Sequence, residues 1–168
     1  MAAVEGTPIL EVTAGSAEAT QEIAARLARV LVDGDVICLF GDLGAGKTTF
    51  TRGLVGALGA PVSQVSSPTF TLLHEYAGGR LLVYHGDAYR LAGGGLDADA
   101  AGFTEVIARR EGVFVLEWPE RVEDALPPER LDIHFTDEDV DRRKLLFLPR
   151  GPRWDTVLTD AADWVTPC

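Results

Sequence analysis

The chain has 168 residues, 46% of them hydrophobic and 24% charged, a composition that argues for an ordinary globular protein and against a disordered or membrane-spanning one. Acidic residues outnumber basic ones 26 to 15, for a net charge of −11. That balance excludes a general surface that grips nucleic-acid phosphates, because such surfaces need clustered Lys and Arg. No apolar run approaches the roughly 20 residues of a bilayer span, and the start MAAVEGTPIL lacks the basic flank of an export signal, so the cytoplasm is the expected address. The two cysteines, Cys38 and Cys168, form neither a metal spacing nor a disulfide framework, and Cys38, inside an apolar run, reads as a small core residue. Without repeats or linker-like stretches, one domain over 1–168 is expected, with its core at about 10–150 and the segment 151–168 packed onto it.

In chain order, a short apolar segment at Ile9–Val12 precedes SAEATQEIAARLARVLVDG. There Ala19, Ile23, Leu27, Val30 and Leu31 follow a period near 3.6, which predicts a helix capped at or near Ser16 and stopped at Gly34. DVICLF, apolar almost throughout, predicts a strand buried on both faces. GDLGAGKTTFTRGLVGALG then predicts a glycine loop and a helix ending near Gly59-Ala60-Pro61. Two strands, Thr69–Tyr76 and Arg80–His85, are expected to turn at Ala77-Gly78-Gly79. A glycine stretch and a short helix follow, then the strand VFVLEW and the proline-bearing loop PERVEDALPPER. LDIHFT and KLLFLPRG predict a terminal hairpin across the acidic DEDVDRR, and Trp154–Val165 a short helix closing the core with Trp154 and Trp164.

GDLGAGKT fits the phosphate-binding pattern of Gly, four residues, then Gly-Lys-Thr/Ser, and it stands between a buried strand and a helix as that pattern requires. Gly41, Gly44 and Gly46 permit close backbone approach, so that neighbouring N–H groups and the positive helix end face an anion. The candidate nucleotide contacts are Asp42, Leu43, Gly44, Ala45, Gly46, Lys47, Thr48 and Thr49. Lys47 would lie against the β- and γ-phosphates, and the Thr48 hydroxyl would be a ligand of Mg²⁺. The loop by itself does not separate kinases, GTPases and motor ATPases.

A metal-bound triphosphate also needs carboxylates, usually at the ends of neighbouring strands. Asp87, after LLVYH, and Glu117, ending VFVL, are the candidates for catalysis and for the metal. Each also reads as a plain acid, Asp87 in a turn beside Gly86 and Glu117 at a strand end. In SSPTF, Ser67 and Thr69 either sense a γ-phosphate or its metal, or belong to a Ser/Pro turn entering a strand. His74 and His85 lie in strand-like runs and are expected to pack or hydrogen-bond rather than to act as bases.

GDLGAGKTTFTRG, SSPTFTL, YHGDAYRL and LEWPER, in this order and spacing, resemble the TsaE family, formerly YjeE, over about Leu10 to Leu148. The resemblance implies a compact α/β P-loop fold, a mixed central sheet flanked by helices, that binds ATP or ADP with Mg²⁺. It implies a weak ATPase of tRNA threonylcarbamoyladenosine biosynthesis that regulates or resets a TsaD–TsaB complex. That complex transfers the threonylcarbamoyl group, so tRNA would be met only indirectly. By position, Lys47 and Thr48 carry over as the phosphate and metal residues. Asp87, of the His-x-Asp-x-Tyr-Arg signature, becomes an acid near the metal, and Glu117, of the Glu-Trp signature, a metal-side or water-orienting carboxylate. Trp118 and Arg143 become nucleotide-proximal. The chain departs from the family at Gly86 and Ala88, which are smaller than expected around Asp87, and at the glycine-rich Leu91–Leu96. A small-molecule P-loop kinase is the alternative. It is disfavoured because Arg109-Arg110, the internal arginine pair before the terminal hairpin, reads as a solvated helix face rather than a lid. A nucleotide-binding scaffold without hydrolysis is a third reading, and it requires Asp87 and Glu117 to be irrelevant to turnover.

Overall fold

The computed structural model describes residues 10–66, 72–91 and 101–161. Its elements run β1 (Leu10–Ala14), α1 (Ala17–Ala28), β2 (Val36–Phe40), α2 (Lys47–Leu58), β3 (Leu73–Tyr76), β4 (Val83–Asp87), α3 (Phe103–Arg109), β5 (Val113–Glu117), β6 (Arg130–Asp137), β7 (Arg143–Arg150) and α4 (Pro152–Thr159). One mixed seven-stranded sheet has the order β1-β7-β6-β2-β5-β4-β3. β2 lies between β5 and β6, parallel to both, and β4 is parallel to β5. Antiparallel strands close both sides, β3 on β4 at one edge and β7 then β1 at the other. Among the described residues, no helix is long and apolar enough to cross a membrane.

The apolar run of β2 follows from cover on both faces of the sheet. Ile37 and Leu39 pack in the layer that holds Ile23, Leu27, Phe50, Leu54 and Trp154. Val36 and Cys38 pack in the opposite layer with Phe103, Val106 and Phe114. Cys38 is thus the expected core residue, and burial, the largest cause, pushes its thiol far above its ordinary range.

α1 is capped as expected, the Ser16 side chain accepting from the Ala19 N–H at 3.1 Å. It stops at Ala28 and does not reach Gly34. The N–H groups of Val30 and Leu31 turn back to the carbonyls of Leu27 and Ala28, and the Asp35 carboxylate takes the Val32 N–H at 2.9 Å. A side-chain acceptor here competes with helix continuation. Arg153 of α4 then grips Asp35 through both carboxylate oxygens, at 2.7 and 2.6 Å, and donates to the Val30 carbonyl at 2.9 Å.

The expected first strand of the Thr69–Tyr76 pair is seen from Leu73, residues 69–71 lying outside the described residues. Its partner is displaced, running Val83–Asp87 instead of Arg80–His85. Arg80 is used elsewhere: its N–H donates to the Leu58 carbonyl at 2.6 Å, and its guanidinium donates to the carbonyls of Ala28 and Leu31. Asp87 therefore ends a strand and does not follow one. The terminal hairpin forms as expected, with Asp132 buried between Arg130 and Arg150 at 2.9 and 3.0 Å. The closing helix is Pro152–Thr159, while Trp164 and residues 162–165 fall outside the described residues. The loop after β5 is wound into 3-10 turns over Pro119–Ala125.

α1 and α2 pack closely because Gly53 has no side chain. A Cβ there would come within 2.6 Å of the Gln21 Cα and carbonyl oxygen. Gly53→Ala is accordingly expected to destabilise the fold by about 1–3 kcal/mol, the overpacking exceeding alanine's better helix propensity. Urea unfolding of the two proteins measures this, and a stabilised variant would contradict it.

Candidate nucleotide site

The site lies at the carboxyl ends of β2, β4 and β5, where open α/β sheets present ligand-binding loops. Residues 41–46 leave β2 and turn into α2 without a side-chain cap, and the first turn of α2 holds no acidic residue. Gly44 and Gly46 have φ of 79° and 105°, a region that disfavours side chains, and Gly46 is the N-cap of α2. The orphan N–H groups of the helix start are therefore left to an anion.

A cleft of about 390 Å³ opens against this loop. It is lined by Leu43, Gly44, Gly46, Lys47, Thr48 and Thr49 from the loop and α2, and by Asp87, Glu117 and Trp118 from the ends of β4 and β5. Asp87 and Glu117 are register partners on adjacent parallel strands. Sheet pairing thus brings together two acids 30 positions apart in sequence. Both are buried, as is Lys47. The Lys47 ammonium donates to the Gly41 carbonyl and lies 4.0 Å from the Trp118 ring centroid. Burial holds the Lys47 pKa below its ordinary value, opposed by Glu117, Glu120, Asp87 and Asp42. Burial likewise raises Asp87 above its ordinary value, and the Tyr89 N–H, bonded to its Oδ1 at 2.9 Å, opposes that shift.

Among the other sequence candidates, Ala45 is buried beneath the loop and Asp42 is exposed at its start. Arg143 lines a second cavity of about 160 Å³ with Ser16, Thr20 and Val140, and this cavity shares Gly44, Gly46 and Thr49 with the main cleft. The Arg143 guanidinium donates to the Gly44 carbonyl at 3.4 Å and pairs with Asp137 at 3.2 Å. Ser67 and Thr69 lie outside the described residues, as do residues 92–96 of the glycine-rich stretch. His74 and His85 are hydrogen-bonded, as expected. Arg109 is paired with Glu105 on the exposed face of α3.

Sequence reasoning missed Leu72, Tyr89 and Arg90 on the cleft wall. It also missed Arg121, whose guanidinium lies 5.5 Å from the Tyr89 ring and 5.9 Å from the Trp118 ring. Tyr89 and Arg90 directly follow the Asp87 segment, so their adjacency was the available signal. Trp118 was expected to extend β5 and instead takes a left-handed conformation, φ 57°, which turns its ring onto Lys47. A bulky residue held there is a local strain of the kind that collects at functional sites.

The residues present fit Mg²⁺. Thr48, Asp87 and Glu117 line one cleft and offer it a hydroxyl and two carboxylates, the hard oxygen donors such an ion takes. That combination suits an ion that takes most of its oxygens from water and phosphate.

A glycine loop between a buried parallel strand and a helix, facing paired acids at the ends of two more strands, defines a P-loop NTPase-fold protein. The family model for threonylcarbamoyl adenosine biosynthesis protein TsaE matches residues 14–145. The chain is 41% identical over 138 residues to the tRNA threonylcarbamoyladenosine biosynthesis protein TsaE of Bacillus subtilis, covering 82% of this chain and 84% of that one. It is 37% identical over 147 residues to the protein of the same name from Streptomyces coelicolor, covering 81% and 94%. A crystal structure of Bacillus subtilis YdiB superimposes with a TM-score of 0.74 at 34% identity, covering 92% of this chain and 94% of that one. The chain belongs to the TsaE family.

Proposed function

We propose that the protein is a Mg-ATP-dependent ATPase of tRNA threonylcarbamoyladenosine biosynthesis, acting in the cytoplasm on a TsaD–TsaB complex that carries out the transfer. The observation that carries this reading is the register pairing of Asp87 with Glu117 in the cleft that Lys47 and Thr48 also line. Family membership supplies the pathway, through the names of the relatives.

In this reading the α2 N–H groups and Lys47 bind the β- and γ-phosphates. Thr48 and Asp87, with Glu117 acting through the water it orients, would hold Mg²⁺, which would supply charge neutralisation at the phosphate oxygens. Glu117 orients a water and accepts its proton as the water oxygen bonds to the γ-phosphorus. The bond from that phosphorus to the bridging oxygen breaks, and ADP and phosphate leave. Arg143, Ser16 and Thr20, at the far side of the loop, take the nucleoside end. The acidic chain leaves the tRNA to its partners.

The test is steady-state phosphate release from Mg-ATP, by the protein alone and with its TsaD–TsaB complex. Slow release alone and a clear rise with the complex are expected. Turnover that ignores the complex and needs a small phosphate acceptor would replace this reading with the kinase.

A further inference from the structure

Glu117 has a buried partner that takes no part in the chemistry described so far. His85 of β4 is wholly buried and is not among the residues of the cleft wall. Its Nε2 lies 2.6 Å from Glu117 Oε2, and its Nδ1 lies 3.1 Å from the Tyr76 hydroxyl. Tyr76, on β3, is itself buried, and its phenol oxygen is hydrogen-bonded by the backbone of Ser66. The His74 Nδ1 stands 3.5 Å away on the outer side.

For a neutral His85 ring beside an ionised Glu117, these contacts fix the hydrogens, with His74 Nδ1–H donating to the Tyr76 oxygen. An ionised carboxylate only accepts, so His85 must present Nε2–H to Glu117. In the neutral ring, Nδ1 is then an acceptor, and the Tyr76 O–H donates to it. The Tyr76 oxygen still accepts from the Ser66 N–H. In that state the bonds run in one direction, from the Ser66 backbone through Tyr76 and His85 to Glu117.

We infer that His85 is a positioning residue for ATP hydrolysis, holding Glu117 through Nε2–H while Tyr76 selects the ring tautomer that can do so. A carboxylate turns easily about its last torsion. Tying down Oε2 holds the group in one orientation and leaves Oε1 to serve the cleft. Misplacing a catalytic group by about 1 Å costs up to about 100-fold in rate, so such a tie acts on turnover and spares binding. The inference rests on Glu117 being the water-orienting carboxylate.

The experiment compares the full-length wild type with His85→Leu, His85→Gln, Tyr76→Phe and Glu117→Ala. For each, kcat and KM for Mg-ATP, the Kd of a fluorescent ATP analogue and the Tm are measured. His85→Leu is expected to lower kcat by about 10–100-fold with KM and Kd within about two-fold of wild type. His85→Gln, whose amide can again donate to Glu117, should recover most of the loss. Tyr76→Phe keeps the ring packing and frees the tautomer, and should lower kcat about three- to ten-fold. It decides the matter if His85→Leu fails to fold. Wild-type kcat in His85→Leu, or in Tyr76→Phe where only that variant folds, overturns the inference while Glu117→Ala remains inactive. So does a loss in His85→Leu that His85→Gln shares equally and that follows Tm. Full turnover in Glu117→Ala would instead overturn the underlying assignment of Glu117.

Discussion

Lys47→Ala is expected to weaken Mg-ATP binding by about 100-fold or more, corresponding to the loss of two charge-assisted hydrogen bonds of about 1.5–3 kcal/mol each. The size follows from where the ammonium is held. Lys47 is buried at the start of α2, with Gly41 on one side, Trp118 on another and the acids of β4 and β5 in the same cleft. A phosphate arriving at the helix N-terminus meets a cation already stripped of much of its water, so their attraction is weakly screened. Alanine also leaves Asp87 and Glu117 facing the phosphates without that charge between them. Lys47→Arg is expected to rescue poorly, because a planar guanidinium cannot occupy the space of a compact ammonium between a carbonyl and an indole. Titration calorimetry with Mg-ATP reads both variants, and wild-type affinity in Lys47→Ala would remove the loop from the nucleotide site.

Glu117→Ala should do the reverse, sparing nucleotide binding to within a few-fold while lowering turnover by about 100- to 10,000-fold, the range of a general base. Glu117 lines the same cleft as the phosphate loop and contributes no donor to phosphate, so in the proposed reading its loss removes the group that orients the water. The measurement is phosphate release under saturating Mg-ATP, beside equilibrium binding of the same variant. Unchanged turnover would sink the catalytic role of Glu117, and binding lost in parallel would make it chiefly a metal residue.

The phosphate loop was legible because its chemistry is contiguous: strand, glycines, lysine, threonine and helix occupy one stretch of chain. Asp87 and Glu117 could be picked out singly, as acids after apolar runs. Their pairing could not, since strand order and register depend on contacts across the whole sheet. The bond from His85 to Glu117 was hidden for the same reason. Helix α1 was drawn too long because its apolar period continues into Val30 and Leu31, although Asp35 and Arg153 impose turns there. Gly86 stood out in the sequence as too small for its place. A Cβ on it would lie within 2.8 Å of the Phe103 ring and 3.0 Å of the Phe114 ring, so two aromatic side chains fill what a larger residue would occupy. Aromatic bulk at Phe103 and Phe114 thus compensates for the missing side chain, and no local pattern reveals that.

The sheet order also has a bearing on how the chain matures on the ribosome. Leu10 pairs with Phe147, so among the described residues β1 is hydrogen-bonded into the sheet through β7, the last of the strands to be made. At about 5–20 residues per second, β1 waits on the order of ten seconds for its neighbour, with the backbone groups of that edge still unpaired. The parallel strands β2, β4 and β5, with the phosphate loop between them, are all synthesised before β6 begins. The nucleotide-handling strands are therefore made earlier, and the last hairpin brings Phe135 against Phe50 and pairs with the waiting strand at the end.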